Sequence, residues 1–457
     1  MESVVKQTAN KKNTEGMGDF SHSKGDQCYQ FIPFESLFAE PKKNGLTRPS
    51  KDRGIGYKMV NMGEIFAYDF IHDQDMERVL LSDREKDSYL LRKGDLLFAR
   101  QSLTVEGTGK STLVKNLSEE TTFESHLIRC RLDNTLASPL YFYYFFRSPY
   151  ARKRMSGLVS KVSAAGIKGS DLEKFPVPVV DLITQKQVAD VLHSFDKKIE
   201  LNRQLNDNLE SMAQALYDYW FVQFDFPDEN GKPYKSSGGK MVWNEQLKRE
   251  IPEGWEVKQI REVADTCLGG TPVTNIREYW DGGNIPWISS GDLTSNPLLQ
   301  VSDYITQKGL NNSAAKLMPK GTVVVSLVRY IRPSILGIDA AGNQSVVGIF
   351  ANKILPTCFL YPYVKSEVPR LMGLRTGAQQ PHINKEVIDS SFIVLPDNVS
   401  IMGQYQNRAL GIYEKLLCVA KERESLTKQR DFLLPLLMNG QVQVKPLNYR
   451  LYPLLVA

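Results

Sequence analysis

Two long stretches of the chain place apolar residues at alternating steps of four and three. The step positions are Val188, Leu192, Phe195, Ile199, Asn202, Asn206, Leu209, Ala213, Leu216 and Trp220 in the first stretch, and Tyr405, Ala409, Ile412, Leu416, Val419, Arg423, Leu426, Arg430, Leu433 and Leu437 in the second. A four–three step held over about four heptads is typical of a coiled-coil seam. The pattern therefore predicts two helices, each roughly 50 Å long at a rise of 1.5 Å per residue.

Two apolar motifs occur once in each half of the chain, in the same order. One is an apolar strand before Gly63 that recurs before Gly291, and the other is an apolar run after the Lys-Gly turn at Gly94 that recurs after Gly321. Gly291 follows Gly63 by 228 residues and Gly321 follows Gly94 by 227, so the copies keep their spacing. An apolar run bounded by turns predicts a buried strand. The chain is thus predicted to contain two copies of one unit, a strand-rich domain followed by a long helix.

The two predicted helices can pair in either direction. An antiparallel pair sets Val188 against Leu437 and Asn202 against Arg423, whereas a parallel pair sets Asn206 against Arg423. Polar seam residues usually fix the register and orientation of such pairs, but the pattern alone permits both. We predict the antiparallel pair, because it gives the pseudo-twofold object that a duplicated sequence naturally builds.

Turn formers and changes in composition mark the predicted domain boundaries. The segments are a disordered amino terminus (1–27), a first globular domain (28–180), a first long helix (181–223), a connector (224–253), a second globular domain (254–397), a second long helix (398–440) and a tail (441–457). The predicted fold class is α/β in the α+β sense. It comprises two strand-rich globular domains joined by two long antiparallel coiled-coil helices, in a pseudo-twofold duplication.

Composition narrows the class of protein only modestly. Fifty-seven Lys and Arg residues against 52 Asp and Glu residues give a net charge of +5, which permits a nucleic-acid partner without requiring one. Five Cys and five His residues are dispersed without the spacing of a disulfide framework or a metal site, so we expect reduced thiols and no metal. No run approaches 18 apolar residues and no apolar signal segment opens the chain, so we expect a cytoplasmic protein with no membrane partner.

Three motifs suggest a family. They are LYDYWFVQFDFPDENGKPY at 216–234, the entry to the second domain at Ile251–Trp255, and the segment Leu268–Pro272. Together with the duplicated order of globular domain and long helix, they resemble the specificity subunit of type I restriction–modification systems. The resemblance extends from about residue 28 to residue 441.

The resemblance implies a function as well as a fold. Each globular domain would be a target recognition domain that reads one half of a bipartite double-stranded DNA site. The helices would space the two domains and dock two modification (methyltransferase) subunits and, through them, the motor–nuclease restriction subunits. S-adenosylmethionine, ATP and magnesium would be cofactors of those partners in a restriction endonuclease and adenine-specific methyltransferase complex, and this chain would hold no cofactor.

One Gly-rich segment looks like a nucleotide-binding loop. Glu106–Thr112 follows a predicted strand, but the Gly expected five residues before Gly109 is Thr104, and no convincing helix follows. The sequence therefore disfavours nucleotide hydrolysis. Two alternatives of equal weight remain for Lys110, which are contact with a DNA phosphate and an ordinary surface turn.

Other catalytic motifs are incomplete. Asn296-Pro297 is followed by two Leu residues instead of the Pro-Tyr of a methyltransferase tetrapeptide. A nuclease motif can be assembled only from residues of the connector and the following domain entry, namely Pro227, Asp228, Glu256 and Lys258. We predict no catalytic residue in this chain.

The candidate DNA contacts are forked, planar or aromatic side chains near predicted strand ends, the types that read base edges or phosphates. They are Lys58, Arg100, Gln101 and Lys110 in the first half, and Arg277, Trp287, Arg329, Tyr330 and Arg332 in the second. Arg329–Arg332 is the strongest cluster, since it combines a ring with two guanidinium groups. For each residue a solvated loop is an alternative, and for Trp287 we prefer a place in the core.

Trp220 and Phe221 end the first helix and have two interpretations. They close the core of this chain, which we slightly prefer, or they form an apolar patch that binds a modification subunit. For the whole protein the alternative to a DNA-reading subunit is a coiled-coil scaffold that organises other proteins without touching DNA. The small net charge favours that alternative, and the duplicated, strand-rich domains oppose it.

Overall fold

The computed structural model describes residues 30–102, 104–159, 165–377 and 379–444. The chain divides into two compact units. The first unit contains the residues up to Ser194 and those from Arg430 onward, and the second unit contains Phe195–Gln429. The predicted disordered segment 1–27 and most of the predicted tail lie outside the described residues.

The first unit combines strands with short helices. Its strands are β1 (Phe31–Pro33), β2 (Phe38–Asn44), β3 (Arg53–Val60), β4 (Phe70–Ile71), β5 (Arg78–Val79), β6 (Leu96–Ala99), β7 (Gln101–Ser102), β8 (Ser111–Val114), β9 (Thr121–Phe123), β10 (Leu127–Leu132), β11 (Ala165–Gly166) and β12 (Pro176–Pro178). Its helices are α1 (Met62–Ala67), α2 (Asp83–Tyr89), α3 (Pro139–Arg147), α4 (Pro149–Gly157) and α5 (Gly169–Glu173), followed by the start of α6 (Leu182–Tyr217). The main sheet has the order β2-β10-β6-β8-β4, and a second sheet has the order β5-β3-β9.

The second unit repeats this mixture. Its strands are β13 (Met241–Asn244), β14 (Arg249–Pro252), β15 (Glu256–Gln259), β16 (Thr266–Leu268), β17 (Ile285–Ile288), β18 (Asp303–Ile305), β19 (Leu317–Met318), β20 (Val323–Ser326), β21 (Pro333–Ile335), β22 (Ala340–Gly342), β23 (Val346–Ile349) and β24 (Phe392–Leu395). Its helices are α7 (Ile260–Val263), α8 (Gln307–Asn311), α9 (Thr357–Gly373) and α10 (Lys385–Asp389), with most of α6 and of α11 (Val399–Met438). The larger sheets have the orders β16-β23-β20-β21 and β18-β17-β22-β19.

The topology confirms the predicted duplication. In each unit a central strand, β6 or β20, is antiparallel to both of its neighbours, β10 and β8 or β23 and β21. In each unit one strand pair of the other sheet is parallel, β3 with β9 and β17 with β22. Gly45 and Gly269 show the same close approach of a second backbone, since a Cβ on either residue would lie 2.2 Å from a backbone carbonyl oxygen. Only Gly fits so close an approach of two backbones.

Each unit has its own apolar core. The first core is built around α3, whose residues from Tyr141 to Phe146 are all buried, and which begins after Ser138 with Pro139 in its first turn, a favoured position for Pro. Phe34, Phe98 and Phe146 pack edge to face within that core. The predicted buried strands are confirmed, since every residue of β6 and β20 is buried.

The two long helices pack antiparallel within each unit, as predicted. In the first unit, Val188 and Leu192 share a core with Leu434, Leu437 and Met438. In the second unit, Leu209 packs with Leu416 and Val419, and the rings of Trp220 and Tyr405 lie 5.6 Å apart. These contacts continue the register that sets Val188 against Leu437. None of the helices in the described residues is long and apolar enough to span a membrane.

Candidate nucleic-acid interface

The strongest candidate cluster of the sequence lies on one hairpin of the second unit. Residues 327–332, here called the hairpin loop, connect the antiparallel strands β20 and β21. Arg329, Tyr330 and Arg332 are exposed there, with 60% of the Tyr330 surface accessible. The Arg332 guanidinium lies 5.1 Å from the centre of the Tyr330 ring, within the range of a cation–π contact. One loop therefore offers two forked cations and one stacking ring to solvent.

The backbone of the hairpin loop is held in place while these side chains remain free to make contacts. The Ser326 hydroxyl donates to the Tyr330 carbonyl and accepts from the Arg332 N–H at 3.1 Å. The Ser326 N–H donates to the Arg332 carbonyl at 3.1 Å, which closes the loop. Arg329 has φ of 60°, a left-handed conformation that costs a side-chain-bearing residue roughly 1–3 kcal/mol. Residues in such sparsely populated backbone conformations cluster at active sites and ligand-binding loops, and Lys248, in the turn between β13 and β14, adopts the same conformation.

A second segment, residues 374–377 and 379–383, supports that conformation and is here called the adjoining loop. Thr376 and His382 exchange backbone hydrogen bonds of 2.9 Å in both directions. The Arg329 N–H donates to the Pro381 carbonyl at 2.8 Å, and the Arg375 guanidinium donates to the carbonyl oxygens of Arg329 and, at 2.9 Å, Met372. Neither loop contains an acidic residue. The two loops together form a basic and aromatic surface.

The sequence analysis missed the adjoining loop. Arg375, Gln380 and His382 belong to this surface, with Gln380 and His382 exposed. The available signal was a polar run that follows Leu374 and ends at the buried Ile383, interrupted by Gly377 with φ of 99°. That run also predicts an ordinary surface loop, and only the tertiary hydrogen bonds bring it to Arg329.

Arg100 in the first unit has the same pattern of backbone hydrogen bonds as Leu327 at the start of the hairpin loop. The Arg100 N–H donates to His126 and the Leu327 N–H donates to Ser345, each at 2.8 Å. The carbonyls of the same two residues accept from Ile167 at 2.9 Å and Ile383 at 3.0 Å. Arg100 therefore occupies in the first unit the place of Leu327 in the second. Arg100 and Gln101 therefore stand where the hairpin loop of the second unit begins.

Polar side chains cluster at that position in the first unit. Gln101 lies on β7, which pairs with β11, and its Oε1 is 2.9 Å from Nδ1 of His126. His126 is exposed, while Arg100 and Gln101 are partly exposed. His126 was not among the predicted contacts. An amide and an imidazole on one edge supply both donors and acceptors for base edges.

The nucleotide-loop interpretation of the Gly-rich turn is wrong. The segment joins the antiparallel strands β6 and β8, and Ser111 begins β8 at the point where a P-loop would begin a helix. The Lys110 ammonium donates to the Phe66 carbonyl at 3.0 Å and lies 5.3 Å from the Phe66 ring centre. Burial lowers the pKa of Lys110. The structure thus gives Lys110 an internal acceptor, which favours the ordinary surface turn over contact with a DNA phosphate.

Two predicted contacts are buried and need correction. The Lys58 ammonium forms an ion pair with Glu119 at 3.1 Å, and only 11% of its side chain is exposed. Trp287 is buried, its indole N–H donates to the Gly270 carbonyl at 3.0 Å, and its ring packs edge to face on Trp280. Neither side chain faces solvent, so we remove both from the candidates. Arg277 remains, exposed in the short 3₁₀ segment Arg277–Tyr279.

Trp220 and Phe221 belong to the core of the second unit. Both side chains are at least 98% buried, within the π-helical turn Asp218–Val222 that follows α6. Phe221 packs edge to face on Phe359 and on Tyr405, and the Arg408 guanidinium lies over the Trp220 ring. The prediction that these two side chains bind a partner is therefore corrected in favour of the core alternative.

No metal-binding cluster accompanies these loops. Across the described ranges, no group of three or more His, Cys, Asp or Glu side chains is arranged to hold a metal ion. Cys130 and Cys267 are buried, and burial raises the pKa of both thiols. A buried thiol with a raised pKa is a poor nucleophile.

Comparison with known proteins gives a consistent result. The chain matches the type I restriction modification DNA specificity domain twice, at residues 41–211 and 252–412. It is 25% identical over 317 residues to the type I restriction enzyme MjaIX specificity subunit of Methanocaldococcus jannaschii, covering 67% of this chain and 70% of the relative. It is 23% identical over 436 residues to the HindI specificity subunit of Haemophilus influenzae, covering 84% of this chain and 94% of the relative.

A solved structure has a similar fold. It is the S subunit of the type I restriction–modification system from M. genitalium, which covers 91% of this chain with a TM-score of 0.52 and 15% sequence identity. The alignment covers 98% of that S subunit, so it includes both of the units described above.

Proposed function

Since the chain belongs to the family defined by the type I restriction modification DNA specificity domain, we propose that it selects the DNA target of a type I complex, with each unit reading one half of a bipartite site. The observation that carries this proposal is the duplicated frame, which presents a polar loop in the same place in both units. A bipartite target needs two separate readers, and a duplicated fold supplies them.

The chemistry of the exposed loops supports contact with base edges. Arg329 and Arg332 have the forked donors that pair with the O6 and N7 atoms of guanine, and Gln101 has the amide that pairs with adenine. Tyr330 and the guanidinium groups also offer planar faces for stacking. The coiled-coil scaffold that does not touch DNA does not require two exposed arginines beside an exposed tyrosine on one loop.

The chain contributes specificity, and the chemistry belongs to its partners. We propose two modification subunits and the restriction subunits as these partners, in a cytoplasmic complex. S-adenosylmethionine, ATP and magnesium then serve the methyl transfer, translocation and cleavage that those partners perform. The Gly-rich turn supports this division, because it is a β-hairpin connection instead of a phosphate cradle.

An exposed stripe along α6 and the π-helical turn that follows it is the surface we propose for a modification subunit. Leu201, Leu205 and Met212 lie on α6 and Tyr219 lies in that turn, and all four are exposed in the second unit. Leu205, Met212 and Tyr219 are spaced by seven residues, which is the repeat of a coiled-coil seam. This stripe is separate from the seam that packs α6 on α11, so it is free to receive a helix of another subunit.

The proposal is tested by selecting targets from a random DNA duplex library. The full chain, co-expressed with the modification subunits of its system, is expected to enrich two defined blocks separated by a spacer of fixed length and arbitrary sequence. The isolated chain is expected to show no methylation, cleavage or ATP hydrolysis. Enrichment of no sequence by an intact complex would contradict the proposal and favour the scaffold that does not bind DNA.

A further inference from the structure

In each unit, the guanidinium of one arginine donates hydrogen bonds to backbone carbonyls of the connection that follows the central strand, β6 or β20. In the second unit, Arg375 donates to the Arg329 carbonyl within the hairpin loop. In the first unit, Arg152 on α4 donates to the Glu106 carbonyl and, at 3.2 Å, to the Thr108 carbonyl in the connection between β6 and β8. Both arginines are only partly exposed, in contrast to Arg329 and Arg332.

The two arginines reach their loops from different positions. Helices α4 and α9 end alike, with Leu158 and Leu374 as carboxyl caps in the same backbone conformation. The residue after Leu374 is Arg375, whereas the residue after Leu158 is Val159. The first unit therefore lacks an arginine at that place, and Arg152, within the preceding helix, bonds to its loop instead. Arginines at two different positions of the duplicated fold thus hydrogen-bond to the loop of their own unit.

A guanidinium suits this task because of its geometry. Its planar fork holds several N–H groups in fixed directions, so it can join two backbone carbonyls and fix their relative position. Arg375 joins the Met372 carbonyl, at the end of α9, to the Arg329 carbonyl in the hairpin loop. The left-handed backbone of Arg329 is thereby tied to a helix that belongs to the core of the unit.

We propose that Arg375 and Arg152 are positioning residues, which determine DNA sequence preference by holding the base-reading loops without contacting DNA themselves. This inference rests on the proposed function and goes further, because it assigns specificity to side chains that donate hydrogen bonds to backbone carbonyls of the loops. Loss of either brace frees the loop while every base-contacting side chain remains present. The preference should then relax in the half-site read by that unit and in no other.

Arg375→Met tests the second brace, because Met keeps a long unbranched apolar stem and removes the charge and the donors. Targets are selected from a random duplex library with the full complex, and binding is then titrated with salt. We expect discrimination at one or two positions of one half-site to fall about tenfold or more, the scale of a lost base contact. The salt slope should not change, since no phosphate contact is removed. Arg152→Met should relax the other half-site, and Arg375→Lys should retain part of the preference.

Arg261→Met is the matched control, because Arg261 carries the same charge in the same unit but pairs with Glu386 on the surface. It should leave both half-sites unchanged. Hydrogen exchange separates positioning from general stability. The Arg329 N–H donates to the Pro381 carbonyl, and in Arg375→Met this amide should lose its protection from exchange. The Val324 amide in β20 should keep its protection.

Three results would overturn the inference. The first is an unchanged sequence preference in Arg375→Met. The second is a salt slope that falls by about one unit while the order of preferred sequences stays intact. The third is a loss of hydrogen-exchange protection at Val324 as large as that at Arg329. Failure of the proposed function would look different, because the wild-type complex itself would then enrich no bipartite sequence.

Discussion

Arg332 combines a fixed backbone with an exposed guanidinium, which is the arrangement a base-reading residue needs. If the side chain pairs with a guanine, Arg332→Ala should cost about 1–3 kcal/mol of binding free energy and relax the preference at one base position. The measurement is binding to a panel of duplexes that differ by one base pair, with Arg261→Ala as the control. An equal loss on every duplex would show a phosphate contact instead.

Lys110 differs from Arg332 because its ammonium already has an acceptor, the Phe66 carbonyl. We therefore expect Lys110→Met to leave the salt slope of DNA binding within a few tenths of the wild-type value. A phosphate contact would instead lower the slope by about one unit and weaken all sequences alike. The same titration thus decides between the two alternatives that the sequence left open. ATP turnover by the isolated chain that this variant abolished would contradict the non-catalytic role.

Single residues were the hardest feature to predict from the sequence. Arg329, Tyr330 and Arg332 could be singled out, because a ring flanked by two arginines is visible in the sequence itself. Lys58 resembled them but is neutralised by Glu119, which lies 61 positions further along the chain. Arg375 gave no signal, since its role depends on a contact with a carbonyl 46 residues away. Local sequence identifies the chemical groups, and tertiary packing decides which of them stay free.

Among the short elements, helix α2 has an amino terminus whose stability depends on pH. Hydrogen bonds from Arg48 and from the backbone and hydroxyl of Ser82 lower the pKa of Glu85 from 4.5 to about 2. Because the pKa is lower in the folded state, the stabilisation is complete above about pH 4.5 and is lost as the pH falls toward 2. Glu85→Gln should therefore lower the free energy of unfolding at pH 7, with the difference from wild type shrinking as the pH falls to 2. A difference that is constant over this range in denaturant titrations would contradict the assignment.

The paired long helices are predicted to set the distance between the two half-sites. Copies of Asn206–Leu209 and of the facing segment Leu416–Val419, inserted together, would lengthen both helices by about 6 Å at the normal helical rise. DNA rises about 3.4 Å per base pair, so the gap between the two half-sites should grow by one or two base pairs. The measurement is methylation mapping of the target. An active complex with an unchanged gap would show that the helices do not set the distance.

Elements with a long period were predictable, and short irregular ones were not. The four–three step predicted both long helices, because a seam must bury its apolar positions along its whole length. Their antiparallel pairing was predicted from the duplication, since the step alone permits both directions. The repeated Lys-Gly turns predicted β6 and β20, since a Gly with positive φ, such as Gly94 or Gly321, favours a tight turn before a buried strand. The adjoining loop has no periodicity, so its pairing with the hairpin loop could not be read from the sequence.

At the scale of the whole molecule, the compact units divide the chain differently from the predicted segments. We predicted the first boundary at residue 180, before the helix, whereas the first compact unit extends to Ser194 and takes up the chain again at Arg430. Val188, Ala189 and Leu192 pack in the same core as Phe142 and Phe146, which explains the extension. The ends of the long helices therefore belong to the first unit, and the remaining parts belong to the second.

The duplication is the feature that most strongly argues for two independent readers. The central strands, the parallel pairs, the hydrogen bonds beside the loops and the closely packed Gly residues all occur in both units. The loops themselves differ, with arginines and a tyrosine in one unit and Arg100, Gln101 and His126 in the other. The two units thus share one backbone arrangement and carry different side chains in their loops. This is what two domains that read different DNA sequences require.

Exchange of one globular domain tests this account most directly. Residues 28–180 would be replaced by the corresponding domain of another specificity subunit with a known target, leaving both long helices unchanged. Methylation mapping of the hybrid complex should then show one half-site changed to that of the donor, with the other half-site and the spacer unchanged. A hybrid in which both half-sites change, or neither does, would contradict the claim that each unit reads its own half of the target.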